Sequence, residues 1–280
     1  MTVRVITDSL GDIPAEVARE LDITVIPINV IFGGINYRDG VDLTTEQFYD
    51  KLASSQAFPT TVVPSLGRYA DGYDKVAEAT GDILVITNSR KLSASYDTAL
   101  LAKERMQKKC RVEVVDSLSA IMAQGLLVIA AAKAAKEGLK LDKVLESVRS
   151  NIPRVHTRMA LDTLEYLRQG GRIGKAKTYL GTMLKVNPIL GIRDGEVYPF
   201  AREHSRAKAI EHLYDFAAGF TKIDGIGVED ATTPDEAAEL AQRLEASFPG
   251  EPVYRAKVSP AVGAHVGPGV LGVAVLGDRD

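Results

Sequence analysis

The same polar pattern ends several predicted strands of this chain. Asp8-Ser9, Asn88-Ser89 and Asp116-Ser117 each follow a short apolar run that is typical of a buried strand. Ligands of open parallel sheets bind outside the carboxyl ends of the strands, where neighbouring helix N-termini favour an anion. Ser93, at the start of the predicted helix after the strand at residues 83–87, therefore stands where a carboxylate or phosphate would be held. Each of these residue types also caps turns and helices, so capping is the default interpretation for any one of them.

A glycine-rich segment at residues 170–175 invites comparison with a phosphate-binding loop. The Walker pattern needs a longer spacing between its glycines and a Ser or Thr after the lysine, whereas Ala176 follows Lys175 here. We interpret the glycines as the stop of a predicted helix at residues 163–169, from which Arg172 would project on a fixed turn. No spacing of His, Cys, Asp and Glu resembles a metal centre. The sequence therefore predicts neither a nucleotide cofactor nor a metal.

The elements that must position these residues alternate between strand and helix in the first half of the chain. Such alternation with short connections predicts a mostly parallel sheet with helices on both faces. Strands are predicted at residues 3–7, 24–31, 83–87 and 112–115, and helices at residues 14–21, 44–52, 65–78, 93–109, 120–136 and 141–151.

The order changes after Pro153, where we place a boundary between two predicted domains, an α/β domain at residues 1–153 and an α+β domain at residues 154–280. The second half predicts an α+β domain, in which Asp194-Gly195 is a strong signal for a hairpin turn. Its predicted strands lie at residues 158–161, 188–193, 196–200, 225–229 and 253–256, and its main helices at residues 205–218 and 233–248.

The composition excludes several classes of function. The chain of 280 residues has 34 Lys and Arg against 37 Asp and Glu, a formal net charge of −3, so no positive field would recruit nucleic acid. The single cysteine, Cys110, can form neither an internal disulfide nor a zinc cage. No apolar run is long enough to cross a bilayer, and the first residues have no signal- or transit-peptide pattern. We therefore expect a cytoplasmic protein without a transmembrane segment.

A series of short motifs runs almost from one end of the chain to the other. Taken together and in this order, they resemble the DegV family, bacterial fatty-acid-binding proteins that present a bound acid to a kinase. The motifs are Ile6-Thr7-Asp8-Ser9, Tyr37-Arg38-Asp39-Gly40-Val41-Asp42, Phe48-Tyr49, Pro59-Thr60-Thr61, Pro64-Ser65, Leu92-Ser93, Val115-Asp116-Ser117, Thr163-Leu164-Glu165-Tyr166-Leu167, Gly170-Gly171-Arg172-Ile173-Gly174, Pro188-Ile189-Leu190, Asp194-Gly195 and His265-Val266-Gly267-Pro268-Gly269.

The resemblance implies roles for particular residues. Thr61 and Ser93 match the threonine and serine that hydrogen-bond the fatty-acid carboxylate in the family. His265 matches a histidine close to the same head group, where an imidazole beside a carboxylate would gain from being protonated. Arg172 and Arg202 match arginines implicated in docking of the kinase or in phosphate contact.

The two ends of a fatty acid would contribute to binding in different ways. Each hydroxyl could donate a charge-assisted hydrogen bond worth about 1.5–3 kcal/mol, whereas burial of about sixteen carbons would contribute on the order of 10 kcal/mol before ordering costs. The tail would therefore set affinity and the hydroxyls orientation. The apolar segments at residues 26–32, 161–167 and 180–190 suit either a tunnel wall or an ordinary core. Val62-Val63 replaces the Ser-Gln of many relatives, which would leave fewer donors at the entrance.

Three functions stay open on these grounds. The leading hypothesis is a non-enzymatic carrier that holds a long-chain fatty acid between the two domains, uses no cofactor, and presents the carboxylate to a separate ATP-dependent fatty acid kinase. The alternative is a serine-dependent acyl hydrolase with Ser93 as nucleophile and His265 as base, although Ser93 is not in a Gly-x-Ser-x-Gly elbow. The third is a regulatory sensor that changes partner when lipid binds, which no residue tests.

Overall fold

A computed structural model describes residues 3–180 and 186–279 as an α/β structure built on three sheets. The strands are β1 (Arg4–Asp8), β2 (Thr24–Ile26), β3 (Asn29–Phe32), β4 (Ile35–Arg38), β5 (Thr60–Val62), β6 (Asp82–Thr87), β7 (Arg111–Asp116), β8 (Val155–Ala160), β9 (Asn187–Arg193), β10 (Glu196–Glu203), β11 (Lys222–Asp230), β12 (Val253–Lys257) and β13 (Leu271–Asp278).

The helices flank these sheets, and short 3-10 turns extend or link several of them. The α-helices are α1 (Ala15–Glu20), α2 (Thr45–Ser54), α3 (Leu66–Val76), α4 (Ser95–Ala102), α5 (Ile121–Lys136), α6 (Leu141–Asn151), α7 (Glu165–Gln169), α8 (Arg206–Ala218), α9 (Pro234–Ser247) and α10 (Pro260–Val266). The 3-10 helices are Ser9–Gly11, Lys103–Arg105, Ile152–Arg154 and Gly174–Tyr179.

The first sheet has the strand order β2-β1-β6-β7, and every pairing in it is parallel. Successive residues of a strand face opposite sides of a sheet, and β1 follows this rule. Val5 packs in a cluster with α5 and α6, whereas Ile6 packs with Tyr69 and Tyr73 of α3 on the other side. The predicted parallel sheet with helices on both faces is confirmed.

A small antiparallel sheet, β4-β3-β5, carries Thr61. The single strand predicted at residues 24–31 is wrong, because the chain divides there into β2 and β3, which belong to different sheets. Pro27 lies at the division and has no backbone N–H for a ladder hydrogen bond. The N–H of Ile28 then donates to the Ser9 hydroxyl at 3.1 Å instead of to a strand.

The third sheet has six strands in the order β10-β9-β8-β13-β11-β12, with antiparallel pairings except between β11 and β12. The hairpin predicted at Asp194-Gly195 joins β9 to β10, and both turn residues have positive φ, 52° and 79°. The sequence analysis left out β13, although this buried strand is central in the sheet and pairs with β8 and β11 along most of its length.

Helix α5 lies between the parallel sheet and the six-stranded sheet. It contacts β1 and β6 on one side and β8, β11 and β13 on the other. A helix that is apolar all round is buried on all sides, and only Ala130, Lys133, Ala134 and Lys136 of α5 are not buried. Within the described residues, all strands of the parallel sheet precede residue 153 and all strands of the six-stranded sheet follow it. The boundary between the two domains stays a prediction.

Candidate functional site

A cavity of about 270 Å³ lies where the three sheets meet. We call it the interlayer cavity. Its polar lining residues are Thr61, Asn88, Ser93, Arg172 and His265, and its other walls are apolar. The apolar lining residues are Leu10, Ile28, Val62, Val63, Leu92, Ala94, Ala120, Ile121, Met159, Leu167, Ile192, Val197, Val262 and Val266.

Two of the predicted ligand-binding residues contact each other across the cavity. The Thr61 Oγ1 and His265 Nε2 atoms lie 2.8 Å apart, although the residues are separated by 204 positions in the chain. The other ring nitrogen, Nδ1, is buried and has no hydrogen-bond partner among the described residues. Because a buried unpaired N–H is costly, the favoured tautomer has its proton on Nε2 and donates it to Thr61. The hydroxyl proton of Thr61 is then left to donate elsewhere.

His265 is held against the first glycine of the Gly-Gly-Arg motif. A Cβ at Gly170 would lie 2.2 Å from His265 Nδ1, so only glycine allows the ring to sit there. Burial, together with the positive charge of Arg172, lowers the pKa of His265 to about 4. The imidazole is therefore neutral near pH 7, in contrast to the protonated form that the sequence analysis considered beside a carboxylate.

Ser93 lies in the turn between β6 and α4, before the helix begins. Its Oγ accepts a hydrogen bond from the Ser95 N–H at 3.2 Å and lies 2.9 Å from the Ser95 Oγ. The helix predicted to run from residue 93 to residue 109 is shorter in the structure, since α4 spans Ser95–Ala102. A serine hydroxyl that bonds the backbone two residues on favours a turn over a helix, which accounts for the later start.

Arg172 lines the cavity and fixes the segment that carries Ser93. Its Nε donates to the Leu92 carbonyl at 3.0 Å, and its Nη1 donates to the Gly170 carbonyl at 2.7 Å. The predicted helix stop is confirmed, because α7 ends at Gln169 and Gly171 has a φ of 69°. The Arg172 side chain thus links the turn that follows α7 to the turn between β6 and α4.

Arg202 is the one predicted site residue outside the lining of the interlayer cavity. It is exposed on β10, where its guanidinium lies 4.1 Å from the ring centroid of Tyr179. The structure therefore brings Thr61, Ser93, Arg172 and His265 together and leaves Arg202 apart from them.

Asn88 also lines the cavity, although capping was the default interpretation of its strand-end position. Its N–H donates to Asp8 Oδ2 at 3.0 Å, and its buried Oδ1 has no hydrogen-bond partner among the described residues. The strand-end pattern that contains Asn88 was the available signal, but it does not distinguish a cap from a ligand contact.

Three buried acids behind the cavity were not among the predicted site residues. We call Asp12, Asp39 and Glu229 the acid cluster; each has one carboxyl oxygen without a hydrogen-bond partner among the described residues. Asp12 Oδ1 accepts from the N–H of Ser259, the N-cap residue of α10, at 3.2 Å. Glu229 Oε2 accepts from the N–H of Met122, near the start of α5, at 3.1 Å. The cluster thus holds the N-termini of two helices that line the cavity.

Burial raises the pKa of every member of the acid cluster. It raises the pKa of Asp39 to about 7, against the opposing effect of hydrogen bonds that include one from the Ser9 hydroxyl. It also raises the pKa of Glu229 to about 8. The pKa of Asp12 is raised well above its usual range by burial and by the charge of Glu229. Near neutral pH Glu229 is therefore mostly protonated and Asp39 is about half protonated.

The arrangement does not supply the contacts of a serine hydrolase. His265 bonds Thr61, while Ser93 bonds Ser95. In such enzymes a carboxylate holds the second nitrogen of the histidine, and here Nδ1 has no partner among the described residues. The lowered pKa of His265 also makes it a weak base.

Within residues 3–180 and 186–279, no group of three or more His, Cys, Asp or Glu side chains could hold a metal ion. No helix in that same part of the chain combines the length and apolar character needed to cross a membrane.

Comparisons with known proteins cover the whole chain. A family model described as "Uncharacterised protein, DegV family" matches residues 2–278. A DegV domain-containing protein of Clostridium perfringens is 33% identical over 280 residues, which is 98% of each chain. The solved structure "Fatty Acid Binding of a DegV family Protein from Thermus thermophilus" has a TM-score of 0.90 at 31% identity and covers 99% of this chain and 100% of that one. DegV, a fatty acid binding protein from Bacillus subtilis, has a TM-score of 0.89 at 27% identity, with 99% of this chain and 100% of that one covered.

Proposed function

The chain belongs to the DegV family, and on that premise we propose that it is a carrier that binds one long-chain fatty acid with its carboxylate in the interlayer cavity. The observation that carries the proposal is the convergence of Thr61, Ser93, Arg172 and His265 on one mostly apolar cavity. Mostly apolar walls with a few convergent polar groups are typical of small-molecule sites. The relatives from Thermus thermophilus and Bacillus subtilis, both described as binding fatty acids, support the choice of ligand.

The head group would be oriented by donors that come from different elements. Thr61 accepts from His265 and so directs its own proton away from the ring, toward an anionic oxygen in the cavity. Ser93 supplies a second hydroxyl, and the guanidinium of Arg172 adds a positive charge. His265 is in this proposal a positioning residue, because it acts through the hydroxyl of Thr61.

The tail would lie against the apolar walls. Ile28 and Leu167, from two of the segments predicted as tunnel wall or core, line the cavity. Of the third predicted segment, residues 180–190, residues 181–185 lie outside the described part of the chain. At about 0.8 kcal/mol per methylene, the buried tail would supply most of the binding free energy.

Mass spectrometry of organic extracts tests the proposal. We expect the purified, then denatured protein to release about one long-chain fatty acid per chain, and lipid-stripped protein to bind such acids more tightly than the alcohols of equal length. The alcohol control matters because it keeps the tail and removes the charge that the polar residues would recognise. If no acid is recovered, even after incubation with acids of several lengths, the fatty-acid assignment is wrong.

We also propose that the bound acid is presented to a separate ATP-dependent kinase, as the family resemblance implies. A carboxylate oxygen of the bound acid would attack the γ-phosphorus of ATP, the bond from that phosphorus to ADP would break, and an acyl phosphate and ADP would result. Catalysis of phosphoryl transfer is largely positioning and charge stabilisation, so a docked kinase needs the head group held in one place. Arg172 and Arg202 are the proposed contacts with the kinase or the transferred phosphate.

Arg202→Ala gives the cleaner test of docking, because Arg172 also holds the Leu92 carbonyl. We expect the variant to retain its fatty acid and to lose at least about tenfold in acyl-phosphate formation, measured as hydroxamate after trapping with hydroxylamine. Arg149→Ala, which removes an exposed arginine from α6, is the matched control and should leave turnover unchanged. Unchanged turnover in Arg202→Ala would remove that residue from the proposed docking surface.

A further inference from the structure

A second pocket, of about 770 Å³, lies at one end of the six-stranded sheet and is lined by three arginines from different strands. Arg158 lies on β8, Arg193 ends β9, and Arg279 follows β13. We call this site the arginine pocket. Ile192 is the one described residue that lines both this pocket and the interlayer cavity, so the two sites are distinct.

Aromatic rings hold the three guanidinium groups close to one another. The Arg158 guanidinium lies 3.2 Å from the ring centroid of Phe200 and 4.6 Å from that of Phe216. Arg193 shares Phe200 at 4.9 Å, and Arg279 shares Phe216 at 5.8 Å. Stacking uses the flat faces of a guanidinium and leaves the N–H groups at its edge to donate hydrogen bonds. The Nη1 of Arg158 donates to the Thr157 carbonyl at 2.8 Å, and its other N–H groups remain to donate to an oxyanion.

The positive charge of these arginines is not neutralised by the described residues. None of the three forms a salt bridge within residues 3–180 and 186–279, although the fourth arginine of the lining, Arg154, pairs with Asp224 and Asp278. Asp194 is the other acid in the lining. The pocket therefore has an excess of positive charge.

Arg158 shows the consequence of that excess. Burial, together with the positive charges of Arg279 and Arg193, lowers its pKa to about 9. A partly buried charge among like charges is costly unless an opposite charge comes close. The ring of His156, which also lines the pocket, has its pKa lowered by burial and by the charges of Arg158 and Arg279, so it is mostly neutral near pH 7.

We propose that the arginine pocket binds the phosphate group of a small molecule. A phosphate carries up to two negative charges on oxygens that match the forked N–H groups of arginine, whereas a carboxylate carries one. The volume suits a small organic phosphate rather than a bare ion. The site is independent of the proposed fatty-acid cavity.

Isothermal titration calorimetry with inorganic pyrophosphate tests the site. We expect saturable binding of about one pyrophosphate per chain that weakens as salt is added, because each contact is charge-assisted. Arg158→Gln and Arg193→Gln should each weaken it at least about tenfold. Because Arg193 is exposed, we expect Arg193→Gln to fold, and this variant tests the site even if Arg158→Gln does not fold. The matched control is Arg243→Gln, an arginine that also stacks on a ring, 4.2 Å from the Tyr214 centroid, but is paired with Glu211.

A lipid headgroup and a soluble metabolite offer the same phosphate chemistry, and sedimentation with phosphatidylglycerol vesicles distinguishes these sources. Sedimentation that pyrophosphate reverses and Arg193→Gln abolishes would identify a headgroup. Pyrophosphate binding without sedimentation would identify a soluble phosphate compound. The proposal is wrong if pyrophosphate gives no saturable binding, or if the pocket variants bind it as tightly as the unaltered protein does.

Discussion

Raising the pH from about 6.5 to about 8.5 is expected to lower the free energy of unfolding by on the order of 2 kcal/mol. The source is the acid cluster, in which burial raises the pKa of Asp39 to about 7 and that of Glu229 to about 8. In the unfolded chain the same carboxyls lose their protons near pH 4. Between these limits the folded state holds more protons than the unfolded state, so stability falls as protons are removed.

The pH window leaves only a small part of the opposite contribution of the buried histidine. The pKa of His265 is lowered to about 4, whereas an unfolded histidine is still about half protonated at pH 6.5, so its remaining contribution raises the free energy of unfolding by roughly 0.4 kcal/mol between pH 6.5 and 8.5. Chemical denaturation followed at several pH values measures the slope directly.

The variant Glu229→Gln tests whether the acid cluster causes the fall in the free energy of unfolding as the pH rises. Glutamine keeps an oxygen to accept the Met122 N–H but cannot ionise, so we expect the variant to be more stable than the unaltered protein at pH 8.5 and its profile to be flatter. Glu245→Gln, at an exposed position of α9, is the matched control and should leave the slope unchanged. A profile that is level over this range in the unaltered protein would contradict the assignment of buried, protonated acids.

The second large effect is expected in Thr61→Val/Ser93→Ala. Each substitution removes one hydroxyl that is proposed to donate to the carboxylate, and two charge-assisted bonds of about 1.5–3 kcal/mol each amount to a loss of roughly 10²–10⁴-fold in affinity. Affinity for a long-chain fatty acid, measured by fluorescence titration of lipid-stripped protein, gives the change. Affinity for the alcohol of equal length should change much less.

The controls separate loss of the head-group contacts from damage to the fold. Valine at position 61 leaves the Nε2–H of His265 without its acceptor, so the melting temperature of each variant must be compared first. Thr61→Ser keeps the hydroxyl and should bind nearly as tightly as the unaltered protein. Thr60→Val/Ser150→Ala alters two exposed residues, one next to Thr61 in the chain and one on α6, and serves as the matched control. Equal affinity in the Thr61→Val/Ser93→Ala variant would exclude these hydroxyls as the head-group donors.

Parts of the fold could be predicted because local sequence decides them. The strands β1, β6 and β7 are short apolar runs between helical patterns, and Asp194-Gly195 has the residues that a tight hairpin requires. The place of β13 could not be predicted in this way. Its apolar residues identify a buried segment, but only contacts with β8 and β11 make it the centre of a sheet.

The candidate site, like the fold, could be predicted from the sequence only in part. The residues alone indicated an anion near Ser93, whereas Thr61 and His265 entered through the resemblance, since no local pattern joins positions 204 residues apart. The acid cluster gave no signal at all, because Asp12 and Glu229 have ordinary sequence surroundings and become unusual only through burial. Sequence patterns report neighbours along the chain, and pKa values depend on neighbours in space.

The central position of β13 has a consequence for the order of events during synthesis. The ribosome releases β8, β11 and β12 before β13, so the growing chain carries an unpaired edge on β8 and another on β11 until β13 emerges. Unpaired edges can join the edges of other chains. The nascent protein is therefore most exposed to aggregation after β12 has emerged and before β13, the strand that joins β8 to β11, has followed it.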